Sequence, residues 1–169
     1  HRAMVRENVG LVATHPDASA PWTWPLMKVA PYFWQGQGGW IYLLGNPNLW
    51  WGSSLPLLAI VLNAIVLRPF GVRMAPAANL KPRPWIALAG YAIAYAPLLP
   101  VGRVLFLYHY LTPLMFAVAF ALLWLDRSGW SREGGIRQQR TSYLVLLGLT
   151  IVAFLAVSPL TYGYSVGGY

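Results

Sequence analysis

Two ionisable side chains stand just ahead of a long apolar stretch, and they are the strongest candidates for chemistry in this sequence. Arg103 and His109 occur in RVLFLYHY, at the start of the third of four segments long enough to cross a bilayer. Ionisable groups near membrane depth are costly, which makes them functional candidates. If the segment is helical, Arg103 shares a face with Tyr108 or Tyr110 rather than with His109. Its guanidinium then either binds two oxygens of a lipid phosphate or simply reaches the membrane surface.

The histidines leave several kinds of chemistry open. His109 fits a proton shuttle, a metal or porphyrin ligand, or a hydrogen-bonded structural residue. His15, Asp17 and Ser19 lie together in the opening segment, but no strand-turn-helix elbow surrounds the serine, so a hydrolase is not indicated. A zinc site would need further ligands, and the chain has no cysteine. The sequence therefore predicts no metal site.

The elements that position these residues are predicted to be membrane helices. Hydrophobic residues make up 57% of the chain and charged residues 9%, whereas soluble domains contain about 25% charged residues. A spanning helix needs about 20 mostly apolar residues. The sequence predicts an all-α membrane protein with four transmembrane helices, preceded by an outer-surface loop rich in Trp, Pro and Gly. The four apolar stretches are Leu49–Leu67, Trp85–Val101, Val104–Leu125 and Tyr143–Leu160.

The basic residues are distributed unevenly between the connecting segments. The connection between the second and third stretches carries only Arg103. Because short loops rich in Lys and Arg stay cytoplasmic, the two basic loops are predicted to lie inside, against membrane lipid. The net charge of +8 is thus explained by topology, and no nucleic-acid partner is predicted. The two basic groups are Arg68, Arg73, Lys81 and Arg83, and Arg127, Arg132, Arg137 and Arg140.

The opening segment, residues 1–48, is predicted to lie on the outer membrane surface. Residues 1–14 have the spacing of a short interfacial helix. The rest contains Pro16, Pro21, Pro25 and Pro31, which break any continuous helix, and it is rich in tryptophan, which favours the headgroup level. Tyr32–Trp34 and Trp40–Leu44 are candidates for short strands. Residues 49–160 then form the four-helix domain, and residues 161–169 an outer tail.

Four blocks of this sequence resemble one known family. They are HPDASAPWTWPLM, IYLLGNPNLWW, RVLFLYHYLTP and SPLTYG, which occur in this order in the C-terminal four-helix region of protein O-mannosyltransferases. These are glycosyltransferases of the GT-C class that depend on dolichyl- or polyprenyl-phosphate-mannose. Asp17 stands where the family pattern usually has an aromatic residue. The resemblance covers residues 14–163.

The resemblance implies a membrane enzyme that moves mannose from a polyprenyl-phosphate carrier to Ser or Thr of an acceptor protein. The donor is a lipid-linked sugar, and no other cofactor is implied. The family places its essential acidic pair in a first outer loop that this segment lacks. The resemblance therefore implies no catalytic residue within the segment, and the segment alone is not expected to be active. The positions implied to bind the substrate or its carrier are His15, Trp22, Trp24, Asn46, Arg103, Tyr108 and His109.

Two other functions remain compatible with the sequence. One is a related GT-C enzyme with another sugar or acceptor. The other is a non-catalytic accessory or scaffold subunit of a larger membrane complex that keeps a transferase-like fold. The chain begins with His1, which suggests the end of a longer protein. Its short loops favour a bacterial plasma membrane, with the endoplasmic reticulum as the alternative if the protein is eukaryotic.

Overall fold

The computed structural model describes residues 14–36, 39–63, 82–127 and 135–164. Four α-helices account for most of these residues, and three short 3₁₀ helices and one β-hairpin lie between them. The predicted interfacial helix at residues 1–14 falls almost wholly outside the described residues. The helices are α1 (Pro47–Leu62), α2 (Pro82–Tyr95), α3 (Leu111–Arg127) and α4 (Gly135–Tyr162). The 3₁₀ helices are Pro21–Leu26, Ala96–Leu98 and Leu107–Tyr110.

Helix α1 begins two residues before the predicted apolar stretch because its cap lies in the GNP sequence. The side chain of Asn46 accepts hydrogen bonds from the backbone N–H groups of Asn48, at 3.0 Å, and Leu49, at 3.2 Å. Pro47 occupies the first helical position, where the missing N–H has no helical partner to lose. Asparagine is among the best residues at this capping position. The start of α1 is therefore fixed by local chemistry rather than by hydropathy.

The helix in the second apolar stretch ends earlier than predicted, and the helical part of the third stretch begins later. Helix α2 stops at Tyr95 instead of Val101, because Pro97 and Pro100 cannot continue a helix. The third stretch was predicted to be helical from Val104, but residues 101–106 are not helical and the 3₁₀ helix starts only at Leu107. The prediction that Arg103 shares a helix face with Tyr108 or Tyr110 is consequently wrong. We call residues 101–106 the connector.

A small antiparallel hairpin amends the prediction of an all-α protein. Strands β1 (Tyr32–Gly36) and β2 (Gly39–Tyr42) pair with an irregularity between Tyr32 and Trp34. The strands overlap the two candidates, Tyr32–Trp34 and Trp40–Leu44, with different ends. Aromatic residues on paired strands stabilise each other across the ladder, and the ring centroids of Tyr32 and Trp40 are 5.4 Å apart.

Helix α3 is the centre of the helical packing. It contacts both α1 and α2, and its Ala117 and Phe120 are buried among them. Gly90 in α2 lets the two helices approach closely, because a side chain there would collide with the ring of Phe116. Small residues serve this purpose in helix pairs that pack within lipid.

Helix α4 is long and largely uncovered by the rest of the described chain. None of the residues in its most hydrophobic window is buried, whereas a third of those in the window at α3 are. Two described segments, Leu107–Asp126 and Ile136–Tyr162, are long and apolar enough to cross a membrane. Helices α1 and α2 have 16 and 14 residues within the described ranges. The count of four spans therefore stays a prediction.

Candidate functional site

The opening segment is held against the helices by Trp24. The 3₁₀ helix that carries this residue ends at Met27, which adopts a left-handed conformation with φ of 51°. The indole of Trp24 is fully buried, and its Nε1 donates a hydrogen bond to Ser19 Oγ at 2.9 Å. Its backbone carbonyl accepts one from Trp50 Nε1 in α1 at 2.7 Å. Buried indole N–H groups usually have an acceptor. Here the indole N–H groups of Trp24 and Trp50 both form hydrogen bonds that hold the opening segment in place.

Further hydrogen bonds connect the opening segment to α2 and to the connector. The hydroxyl of Tyr95, the last residue of α2, donates to the carbonyl of Pro21 at 2.7 Å. The backbone N–H of Ser19 donates to the carbonyl of Leu105 at 2.9 Å. The opening segment and the connector are thus in direct contact. The buried core at this contact, which we call the Trp24 cluster, consists of Trp24, Trp50, Leu105, Leu107 and Tyr110.

Four near-parallel rings run from the Trp24 cluster to the surface. Trp24 and His109 have ring centroids 6.0 Å apart and planes 10° apart, and His109 and Tyr108 are 4.4 Å and 24° apart. Tyr108 continues to Phe106 at 5.5 Å and 14°. Tyr108 is exposed and His109 partly exposed. The ring row, Trp24–His109–Tyr108–Phe106, therefore places an imidazole where the buried core meets the surface.

The imidazole of His109 is anchored through one nitrogen. Its Nδ1 lies 3.0 Å from the carbonyl oxygen of Phe106 and 3.3 Å from the backbone nitrogen of the same residue. When Nδ1 carries a proton it donates to the carbonyl, and when it does not it accepts from the N–H. Nε2 has no hydrogen-bond partner within the described part of the chain. His109 can therefore donate or accept at Nε2 without losing its anchor.

His15 and Asp17 lie beside the outer end of the ring row. The His15 ring meets Phe106 edge-on, with centroids 5.1 Å apart. Its Nδ1 accepts a hydrogen bond from the backbone N–H of Asp17 at 3.2 Å and lies 3.8 Å from the Asp17 carboxylate. This arrangement directs the second nitrogen of His15 away from Asp17, so that the pair offers one N–H donor and one carboxylate.

The remaining predicted site residues occupy different environments. Arg103 is exposed in the connector, three residues before Phe106. Trp22 is 69% exposed, whereas Trp24, two residues further along the same 3₁₀ helix, is fully buried. Trp22 can therefore offer a ring face to a ligand, and Trp24 fixes the loop and supports His109.

Asn46 lies apart from the ring row and is committed to the protein itself. Its carboxamide oxygen caps α1, and its Nδ2 donates to the carbonyl of Thr150 in α4 at 2.8 Å. The neighbouring Asn48 donates from Nδ2 to Thr150 Oγ1, also at 2.8 Å. Asn46, predicted to bind the substrate or its carrier, therefore connects α1 to α4.

A cluster of tyrosines beneath the ring row escaped the sequence reasoning. The hydroxyls of Tyr91 and Tyr110 are 3.1 Å apart, and the rings of Tyr91 and Tyr95 also contact each other. Tyr91 and Tyr95 are four residues apart, which puts them on one face of α2. The spacing of these two tyrosines is visible in the sequence, but their contact with Tyr110 is not. Ser19 was likewise missed as the acceptor for Trp24.

No group of three or more potential metal ligands occurs among the residues with described positions. The surface around the ring row offers aromatic faces, the anchored imidazole of His109, and His15 with the Asp17 carboxylate, and the connector carries Arg103. Such a set can bind a polar ligand with an apolar face at the edge of a membrane, as a sugar phosphate on a lipid would require.

Comparisons with known proteins agree with the resemblance seen in the four sequence blocks. A family model described as the C-terminal four TMM region of protein-O-mannosyltransferase matches residues 1–167. Dolichyl-phosphate-mannose–protein mannosyltransferase 1 of Candida albicans is 29% identical over 96% of this chain, and enzyme 5 of that name from Saccharomyces cerevisiae is 31% identical over 96%. Protein O-mannosyl-transferase 2 of Danio rerio is 29% identical, also over 96%.

A solved structure supports the same fold. The structure of the S. cerevisiae protein O-mannosyltransferase Pmt1-Pmt2 complex bound to the sugar donor matches 96% of this chain with a TM-score of 0.70 and 24% identity. The match covers 23% of that chain, and the relatives named above are covered over 20% to 24% of their length. The chain thus spans about a fifth to a quarter of the length of these relatives. The chain belongs to the protein O-mannosyltransferase family and corresponds to the C-terminal membrane region of its members.

Proposed function

We propose that this chain is the part of a membrane mannosyltransferase that binds the phosphate end of polyprenyl-phosphate-mannose. The observation that carries the proposal is the ring row, which holds His109 at the surface with Nε2 available. The whole enzyme would transfer mannose to a Ser or Thr hydroxyl of an acceptor protein. The names of the relatives, several of which specify dolichyl-phosphate-mannose, support this choice of donor.

The reaction determines what the site must stabilise. The acceptor oxygen attacks C1 of mannose while the bond between C1 and the phosphate oxygen breaks, which inverts the configuration at C1. The hydroxyl proton goes to a base, and the resemblance places that base outside this segment. The leaving polyprenyl phosphate gains one negative charge. Fixed donors aimed at a developing charge lower the barrier more than donors that bind only the ground state.

Arg103 and His109 are the proposed donors to that phosphate. A guanidinium presents several N–H groups in a planar fork that matches phosphate oxygens, and it stays charged at all working pH values. His109 would donate from Nε2 while its Nδ1 accepts from the backbone N–H of Phe106. Tyr108 and Trp22, whose rings are exposed, would provide faces for the sugar. His15 would bind a hydroxyl at the edge of the same surface.

The proposed membrane arrangement follows from the positive-inside pattern. The opening segment, the connector and the C-terminal end of α4 would lie on the outer face, with the basic loops in the cytoplasm. The contact of Ser19 with Leu105 and the packing of β2 on α4 support a common side for these regions. The bacterial plasma membrane stays a prediction, with the endoplasmic reticulum as its alternative. The relatives named above are fungal and animal proteins and add no support to the bacterial location.

The test is a transfer assay on the full-length, membrane-reconstituted protein with polyprenyl-phosphate-mannose and a Ser/Thr-rich peptide. Arg103→Ala should lower kcat/KM at least tenfold, or about 1.4 kcal/mol of transition-state binding, with unchanged protein abundance. Arg103→Lys should restore part of it. The matched control is Arg140→Ala, since Arg140 is also exposed but lies near the start of α4. Equal kinetics for Arg103→Ala and the wild type would remove the phosphate assignment.

A further inference from the structure

Two tyrosines connect α2 to the opening segment and to the 3₁₀ helix Leu107–Tyr110, which carries His109 and which we call the LYHY turn. The hydroxyl of Tyr95 donates to the carbonyl of Pro21 at 2.7 Å. The hydroxyl of Tyr91 lies 3.1 Å from the hydroxyl of Tyr110, at the end of the LYHY turn. Because residues four apart share a helix face, one face of α2 holds both segments.

The LYHY turn has an inner and an outer side. Leu107 and Tyr110 are fully buried, whereas Tyr108 is exposed and His109 partly exposed. In a 3₁₀ helix, residues three apart lie directly above one another, so the two buried residues form the inner side of the turn. The position of His109 therefore depends on how its neighbour Tyr110 is held.

Tyr110 packs against four other rings. The centroids of Trp50 and Tyr95 are each 5.5 Å from that of Tyr110, and those of Tyr91 and Trp24 are 6.2 Å and 6.4 Å away. Ring contacts of this kind fill space but leave a ring some freedom to slide. The bond to the Tyr91 hydroxyl adds a direction to them, because a buried hydroxyl that leaves its partner is penalised.

Packing alone does not require these hydroxyls. Phenylalanine would fill almost the same volume and would bring no polar group into the interior. The hydroxyls of Tyr91 and Tyr95 both form bonds that leave α2, and both bonds lead to segments that hold His109: the LYHY turn and the 3₁₀ helix of Trp24, whose indole stacks on the imidazole. This convergence favours a role at the site.

We propose that Tyr91 is a positioning residue for His109 and acts through Tyr110. The inference rests on the proposed function, in which Nε2 of His109 donates to the phosphate of the lipid-linked donor. The stack on Trp24 sets the plane of the imidazole, and the contact of Nδ1 with Phe106 sets its rotation. The bond between Tyr91 and Tyr110 fixes the turn itself. A donor to a reacting group must be held within about 0.5 Å of its productive position.

Removal of one hydroxyl tests the effect on the reaction. In the transfer assay on the full-length, membrane-reconstituted protein, Tyr91→Phe should lower kcat about tenfold, because a displacement of about 1 Å can cost up to about a hundredfold. Tyr143→Phe is the matched control, since Tyr143 is also a tyrosine of a long helix but is 46% exposed near the start of α4. Its kcat should equal that of the wild type.

A double replacement separates positioning from stability. Tyr91→Phe leaves the hydroxyl of Tyr110 without this partner, whereas Tyr91→Phe combined with Tyr110→Phe removes both ends of the bond and should be nearly as stable as the wild type. A positioning role predicts that kcat stays low in the double variant although stability returns. Recovery of kcat together with stability would show a purely structural role and would overturn the proposal. If Tyr91→Phe alone does not fold, the double variant decides.

A cycle with His109→Ala tests whether the effect passes through the imidazole. Without the imidazole, Tyr91→Phe has nothing left to position and should change kcat by less than about twofold, because residues that act as a unit are not additive. Equal losses with and without His109 would overturn the proposal. If Tyr91→Phe matches the wild type while His109→Ala is impaired, only this inference fails. If His109→Ala transfers mannose at the wild-type rate, the proposed function of His109 is itself wrong.

Discussion

The Trp24 cluster and helix α4 are held in place by different kinds of interaction. The cluster is buried, and directional hydrogen bonds run from Trp24 to Ser19, from Trp50 to Trp24 and from Tyr95 to Pro21. Helix α4 has no buried residue in its most hydrophobic window within the described chain, and hydrogen bonds to Thr150 connect it to α1. Fixed geometry is thus concentrated at the proposed phosphate site. Helix α4 has the apolar surface of a helix that lies against lipid or further protein.

The two tryptophans of the first 3₁₀ helix test this comparison most strongly. Trp24→Ala removes a fully buried ring and should lower the free energy of unfolding by about 3–5 kcal/mol. It should also lower transfer activity, because His109 loses its support. Trp22→Ala, the matched control at 69% exposure, should change stability by less than about 0.5 kcal/mol. Unfolding of the purified protein in detergent would show the difference, and equal losses would contradict the assigned burial.

Ser19→Ala tests a single hydrogen bond of the cluster. The substitution leaves Trp24 Nε1 buried without its acceptor and should cost about 1–3 kcal/mol of unfolding free energy. The backbone bond to Leu105 remains, so the loop should stay in place. Ser158→Ala is the control, because its hydroxyl bonds only within α4 and its removal should be nearly neutral. If both variants were equally stable, the indole would have another partner.

The link between the two regions should give the smallest effect. A double-mutant cycle of Asn48→Ala and Thr150→Val isolates the contact from Asn48 Nδ2 to Thr150 Oγ1. Hydrogen bonds between membrane helices average about 0.6 kcal/mol, and the coupling energy should be close to that value. Thr161→Val replaces Thr150→Val in the control cycle, because the hydroxyl of Thr161 bonds only to Val157 in its own helix. A coupling of zero would show that the bond between Asn48 and Thr150 does not stabilise the contact of α4 with α1.

Hydropathy predicted the approximate positions of the helices in the sequence but not the residues at which they begin and end. The apolar residues from Val104 to Phe106 are compatible with a helix and with a buried extended segment, because composition without periodicity does not distinguish the two conformations. Residues 104–106 of the connector were therefore predicted to be helical. Its true conformation depends on Leu105, whose carbonyl accepts the N–H of Ser19. Such contacts between distant parts of the chain are not encoded in any local pattern.

The sequence predicted which residues belong to the candidate site better than it predicted how they are arranged. The family blocks identified His15, Tyr108 and His109; Tyr108 and His109 lie in the ring row, and His15 contacts its last residue, Phe106. The same blocks identified Asn46, which the structure uses as a helix cap and a tie to α4. Capping by asparagine before a proline is a local signal. Sequence resemblance marked that position without distinguishing a ligand contact from a structural one.

The partners of Trp24 and its neighbours come late in the chain, and this order has a consequence for biogenesis. Trp50 follows Trp24 by 26 residues, and Tyr95 follows Pro21 by 74. During synthesis the opening segment emerges first, yet α1, α2 and the connector must be made and packed before it can dock. The earliest part of this chain to be made is therefore among the last to reach its final position, and until then its tryptophans are exposed to chaperones and lipid.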